Sequence, residues 1–353
     1  MAAYTTIDDP SAYFKVQLYT GNGSTQAITF DDTDTDMQPD FVWLKNRNSS
    51  GHDHFLFDSV NGVQKFLSSN DNGALSGSDS SYLTAFNSDG FTLGSSDGMN
   101  ENSITFVSWN WKAGTSFTND ASATSIGSID SSGSVSDVAG FSLCTYTGTG
   151  SNATIKHGLS SAPHVVWTKQ LNTAQKWITY NKSLGATNTL HLDTAEAIQD
   201  NSAFNDTDPT TSVFSVGTIV NSNQSGGSYI AYSFAPVKGY FATGKYVGNG
   251  NADGPYVHCG FRPALILGRN TTASQHWFMV DNKRSPHNGD SRWLKADGSN
   301  DELTNLVNPD FLANGFKIRS NNDIYNDSGE THVYMAWAES PFVNSNGIPN
   351  NAR

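Results

Sequence analysis

Apolar and polar residues alternate along Phe14-Lys15-Val16-Gln17-Leu18-Tyr19, the period-two pattern of a strand with one buried face. The run ends in Thr20-Gly21-Asn22-Gly23, where glycine supplies turn geometry, and Ala27-Ile28-Thr29-Phe30 answers as a second strand. A proline then opens an apolar run, Pro39-Asp40-Phe41-Val42-Trp43-Leu44-Lys45. Further short strands are predicted at His54 to Asp58, Phe86 to Leu93 (around Asn87-Ser88-Asp89-Gly90) and Thr105 to Trp111.

These beats return in the same order. Tyr19-Thr20-Gly21-Asn22-Gly23 recurs as Tyr146-Thr147-Gly148-Thr149-Gly150 and as Tyr246-Val247-Gly248-Asn249-Gly250. The proline-led run recurs from Pro163 to Lys169 and from Pro263 to Arg269, and the closing strand at Tyr229 to Phe234 and Val333 to Trp337. Self-similarity at this scale signals one structural unit used three times. The expected fold is all-β, three tandem antiparallel β-sandwich modules related by internal repeat. The division is an N-terminal arm at 1–13, modules at 14–114, 140–239 and 240–353, and a Ser/Gly-rich linker at 115–139. That linker holds Ile126, Ile129, Val135 and Val138, which could still pair at a sheet edge. Helix is scarce; Thr194 to Asp200 and Ser299 to Leu306 are the two weak candidates.

Composition agrees with strands and turns. Charged residues are only 15% and aromatic residues 12%, with 32 glycines. Recurring aromatic positions argue for packed cores and against disorder. The formal net charge of −13 repels phosphate and anionic lipid, so neither nucleic acid nor membrane is an expected partner. Cys144 and Cys259 fall at different points of their repeats and read as small buried residues without a bridge. The first residues lack a basic start and an apolar stretch, so synthesis in a cytoplasm is expected.

Candidate chemistry is sparse. The Gly-x-Gly turns lack the third glycine, helix and acidic partner of a dinucleotide site. Asp32, Asp34 and Asp36 have the spacing of the first calcium ligands of a loop, but Met37 stands where glycine is needed and no glutamate closes the set. His52 and His54 lie on one face of an extended segment, and three chains on an axis could use such pairs for a transition metal. Neither reading is specific, and no cofactor is expected. Six of the eight tryptophans stand in repeated strand positions and read as core. Trp111 and Trp293 are freer from that register and are the candidates for stacking on a glycan. No paired carboxylates or nucleophile motif stands out, and the expected protein is not an enzyme.

Several stretches resemble virion proteins of tailed marine bacteriophages. They are Ala3-Tyr4-Thr5-Thr6-Ile7-Asp8-Asp9-Pro10-Ser11-Ala12-Tyr13-Phe14, Asp53 to Val60, Asn87 to Gly94, Lys182-Ser183-Leu184-Gly185, Asn205 to Thr210, Asp281 to Pro286 and Asn350 to Arg353. The resemblance implies a structural or tail-fibre protein of a virion, and the repeated, polar-looped acidic modules lead to the expectation of a surface-exposed fibre or tail component aiding host adsorption through a cell-surface glycan. Other virion proteins are then partners, and self-association, with a trimer favoured, is expected. The alternatives are a capsid-decorating cement protein and a glycan-degrading tailspike-type hydrolase. The resemblance carries no catalytic residues.

Overall fold

The computed structural model describes residues 4–30 and 35–352. Strand accounts for 39% and helix for 6%, so the chain is all-β with antiparallel sheets. Fourteen strands of four or more residues make up most of the three main sheets. The first sheet holds β1 (Phe14–Thr20), β2 (Phe41–Asn46), β3 (Phe55–Asp58) and β4 (Thr105–Trp111). The second holds β5 (Thr115–Asn119), β6 (Ser131–Ser136), β7 (Phe141–Thr147), β8 (Val165–Gln170), β9 (Ile178–Asn181) and β10 (Ser228–Phe234). The third holds β11 (Phe241–Val247), β12 (Phe261–Asn270), β13 (Phe278–Asp281) and β14 (Thr331–Pro341).

The first sheet runs in the order β1-β4-β2-β3. Within the second, β7-β10-β8-β9 repeats that order, and the third opens β11-β14-β12-β13. In each, the strand ending in the glycine turn pairs with the closing strand, which pairs in turn with the proline-led strand. Phe14 faces Trp111, Phe141 faces Phe234, and Phe241 faces Trp337 at the same register.

The central strands of each main sheet are covered on both sides, which is why β2, β8 and most of β12 are buried at successive positions without alternation. One face of the first sheet packs Val42, Leu44 and Phe57 against Phe91 and Leu93 of a smaller outer sheet. The second does the same with Val166 and Tyr180 against Phe214 and Val216. The opposite faces meet in one common core, where Trp111 lies 5.3 Å and Phe234 5.6 Å from Trp337, ring centre to ring centre. Phe41 lies 4.9 Å from Tyr232, and Trp43 6.1 Å from Trp167.

Backbone hydrogen bonds close the three sheets into a ring. The Leu75 N–H donates to Leu171 O (2.9 Å), that of Ile198 to Thr271 O (2.9 Å), and that of Glu302 to Arg47 O (2.8 Å). The acceptors are the residues just after β8, β12 and β2, so the links run first to second, second to third and third to first.

Residues 115–139, expected as a linker that could still pair at a sheet edge, do pair there: β5 and β6 pair with each other and β6 with β7, in a second sheet of eight strands. Small residues are required there, because a Cβ on Gly133 would stand 1.8 Å from the Leu143 carbonyl oxygen. Neither Thr194 to Asp200 nor Ser299 to Leu306 is helical; Gln199–Asp200 form a short strand at the edge of the second sheet. The helices are single turns, among them α1 (Asp97–Asn100), α2 (Ala121–Thr124), α3 (Val220–Asn223) and α4 (Asp323–Asn326). None of the described helices is long and apolar enough to cross a membrane.

Candidate functional site

The repeated glycine turn is a clasp. The hydroxyls of Tyr19, Tyr146 and Tyr246 donate to the carbonyls of Met99, Ser222 and Tyr325 at 2.7, 2.7 and 2.8 Å. Each ring stacks on a closing-strand ring: Phe106 at 5.1 Å, Tyr229 at 5.1 Å and His332 at 5.0 Å. The last residue of α1, α3 and α4 is an asparagine with no exposure, Asn100, Asn223 or Asn326. Its carbonyl oxygen accepts the N–H of Asn22, Thr149 or Asn249 in the turn. Its amide donates back to turn and loop carbonyls, as Asn223 does to Ser151 O (2.6 Å) and Gly217 O (2.7 Å). The first glycine of each turn is needed for close approach: a Cβ on Gly21, Gly148 or Gly248 would lie 2.3, 2.3 or 2.1 Å from a backbone oxygen.

A second triplicate set locks the ring. Lys45, Lys169 and Arg269 hold one register position of β2, β8 and β12, all with no exposure. Lys169 Nζ donates to Gln175 O (2.7 Å) and, across the boundary, to Asn72 O (3.0 Å). Lys45 Nζ donates to His52 O (2.8 Å) and reaches Ser299 O (3.4 Å); Arg269 donates to the carbonyls of His191, Thr194 and Glu196. Burial pulls both lysines down to about 8, with nearby aspartates opposing the shift. The residue preceding β3, β9 or β13 also crosses a boundary. Trp177 Nε1 donates to Ser68 O (2.7 Å) and Trp277 Nε1 to His191 O (2.8 Å).

His54 is the corresponding residue of the first sheet. Its Nδ1 accepts the Trp43 indole N–H at 2.8 Å, which assigns the ring proton to Nε2, facing Lys295 O at 2.9 Å. Burial, then the charge of Lys45, holds it well below the usual histidine range. Both nitrogens are committed, so His54 is a neutral interlock and no metal ligand. His52 stays near the surface, 3.8 Å from Glu101, and the pair does not converge. Asp32 and Asp34 lie outside the described residues, and Asp36 is exposed. Among the described residues no group of three or more potential ligands gathers to hold a metal.

Trp111 and Trp293 are each 1% exposed, so neither offers a ring face to a glycan. Trp111 belongs to the common core in the position of Phe234 and Trp337, and Trp293 donates to Asn305 Oδ1 at 3.1 Å. Both cysteines are free, and burial pushes the Cys144 thiol up to about 12.

At one boundary of the ring Asp281 and Arg284, both without exposure, pair at 2.6 Å, and Asp281 Oδ2 also accepts the Trp109 indole N–H at 3.1 Å. At another, Asp58 accepts the Tyr232 hydroxyl at 2.9 Å. Both carboxylates also cap the turn after their own strands, Asp58 through Asn61 N–H (2.7 Å) and Asp281 through Arg284 N–H (2.8 Å).

Among the described residues, open clefts of about 400, 410 and 440 Å³ lie on the surface. One is lined by charged groups of both signs, including an Arg262–Glu339 pair at 3.0 Å. The other two flank β5 and β6, and serine, threonine and tyrosine are the commonest residues lining them.

The asparagines and buried cations were not singled out from sequence, although both leave a signal. Asn100-Glu101, Asn223-Gln224 and Asn326-Asp327 recur just before each closing strand, and Lys45, Lys169 and Arg269 end the proline-led runs.

No curated protein matches the chain. A family profile described as a domain of unknown function (DUF7483) matches residues 9–341, and the chain belongs to that family.

Proposed function

We propose that residues 14–114, 140–239 and 240–353 are three copies of one β-sandwich module closed head to tail, and that this body is a non-enzymatic structural protein on the surface of a tailed-bacteriophage particle. It serves there as a fibre or tail component and contributes to host adsorption. The observation that carries this reading is the triplicate use of buried polar groups. Tyr19/Asn100, Tyr146/Asn223 and Tyr246/Asn326 clasp each module, and Lys45, Lys169 and Arg269 seal each boundary. Buried polar groups committed in this way confer rigidity and a unique arrangement, which a displayed particle component needs.

Two further features support it. A net charge of −13 opposes nonspecific adhesion. Asp120, beside the hydroxyl-lined cleft, is held below the ordinary carboxylate range by the Ser122 hydroxyl and the Ala123 N–H. A glycosidase acid needs the opposite shift.

Immunogold labelling of particles from a phage whose genome encodes this chain tests the reading. Labelling of intact particles is expected, with tail decoration favouring the fibre role and head decoration the cement role. Unlabelled particles in a lysate that contains the protein would refute it. Native mass spectrometry of the full chain reads its self-association, for which a trimer is expected.

A further inference from the structure

The segment 115–136 is the part of the chain without a counterpart in the other two modules. Its strands extend the second sheet beyond β7, whereas among the described residues no strand lies outside β1 or β11. It adds little to the core: Ile129 is buried and Phe117 partly so, while β6 reads Ser-Ser-Gly-Ser-Val-Ser. What it builds is a surface. Thr118 of β5 faces Ser132 of β6, which faces Thr145 of β7, so one row crosses three strands. Thr118 and Ser132 line both hydroxyl-rich clefts, which makes those clefts the two halves of one groove.

The lining decides the ligand class. Hydroxyls donate and accept, matching the hydroxyls of a sugar. Asp120 and Asp130 stand at one end and Asp40 at the other, while no lysine, arginine or histidine lines either cleft. Carboxylates without basic partners repel phosphate, sulfate and uronic acid groups. Each cleft lies within the range of ligand sites, roughly 300–1,000 Å³.

We propose that the face of β5, β6 and β7 bearing Thr118, Ser132 and Thr145 is a groove that binds an uncharged oligosaccharide. The groove rests on the display reading for its biological purpose. Its binding is measured on the isolated full chain, so a failure of the particle assignment leaves that result standing, and the reverse.

Isothermal titration calorimetry with mannohexaose, maltohexaose, cellohexaose and galactohexaose, and with a hexauronate as charged control, tests it. At least one neutral probe is expected to saturate the protein, with the hexauronate bound at least tenfold more weakly. Ser132→Arg, which fills the groove from an exposed position, is expected to reduce affinity at least tenfold. Val247→Arg, at a residue 57% exposed on the third sheet, is expected to bind as the unaltered chain. Unchanged far-ultraviolet circular dichroism establishes that the variants fold. Failure of every neutral probe, equal binding of the hexauronate, or full affinity in Ser132→Arg would overturn the proposal.

Discussion

Replacing Asn223 tests how the clasp works. Its amide nitrogen donates to two carbonyls at 2.6 and 2.7 Å, and its oxygen accepts one backbone N–H at 2.8 Å. Alanine removes all three partners at once. A backbone group left unsatisfied in the interior costs about 1–3 kcal/mol, whereas one that water can reach costs about 1 kcal/mol. Ser151 and Thr149 are exposed and Gly217 is buried, so Asn223→Ala is expected to cost about 3–5 kcal/mol. Asn223→Asp keeps the shape but turns two donors into acceptors facing carbonyl oxygens, so it is expected to cost at least as much. Urea unfolding followed by tryptophan fluorescence gives both values from the midpoint and slope. An aspartate variant within about 1 kcal/mol of the parent, beside a damaging alanine, would mean that Asn223 acts by filling space, and the hydrogen-bond account would fail. Asn100→Ala and Asn326→Ala are expected to follow Asn223→Ala.

Gly248→Ala places a Cβ 2.1 Å from the Asp327 oxygen and is expected to lower stability by about 1–3 kcal/mol, read as a lower melting temperature. Arg284→Met leaves Asp281 charged and buried, for an expected loss of about 3–5 kcal/mol in the same urea assay. For Lys169, the folded value of about 8 lies below the ordinary lysine value of 10.5. The unfolded chain therefore binds more protons between those values, and stability rises with pH across that window. Each such lysine contributes up to about 1.4 kcal/mol per pH unit. Cysteine burial opposes this above the ordinary thiol value of 9.0, so the comparison belongs between pH 8 and 9. There Lys169→Met is expected to show a flatter slope than the parent; equal slopes would mean that Lys169 does not titrate.

Strand identity was legible because alternation and turn residues are local signals. Phe14 to Tyr19, the Asn87-to-Gly90 hairpin and the closing strands all form where the pattern puts them. Ring closure was not legible, since Leu75 meets Leu171 and Glu302 meets Arg47 through backbone groups that carry no side-chain signature. Residues 115–139 read as linker because serine and glycine also suit flexible chain. Gly133 is there because of tertiary crowding at Leu143, which a local pattern cannot register. Trp111 was misassigned for a related reason: exposure depends on what packs above a strand, and what packs there is Trp337, far along the chain. His54 looked like a ligand because a histidine and a tryptophan at equivalent positions do not look alike in sequence, although both present a ring N–H to a neighbouring carbonyl.

Hydrogen exchange read by mass spectrometry under rising urea tests ring closure most directly. Peptides covering β1, β7 and β11 are expected to lose protection together, through one global opening, because their inner faces share a single core. Loss of protection across 14–111 at a denaturant concentration that leaves 241–341 protected would show independent beads and contradict the closed ring.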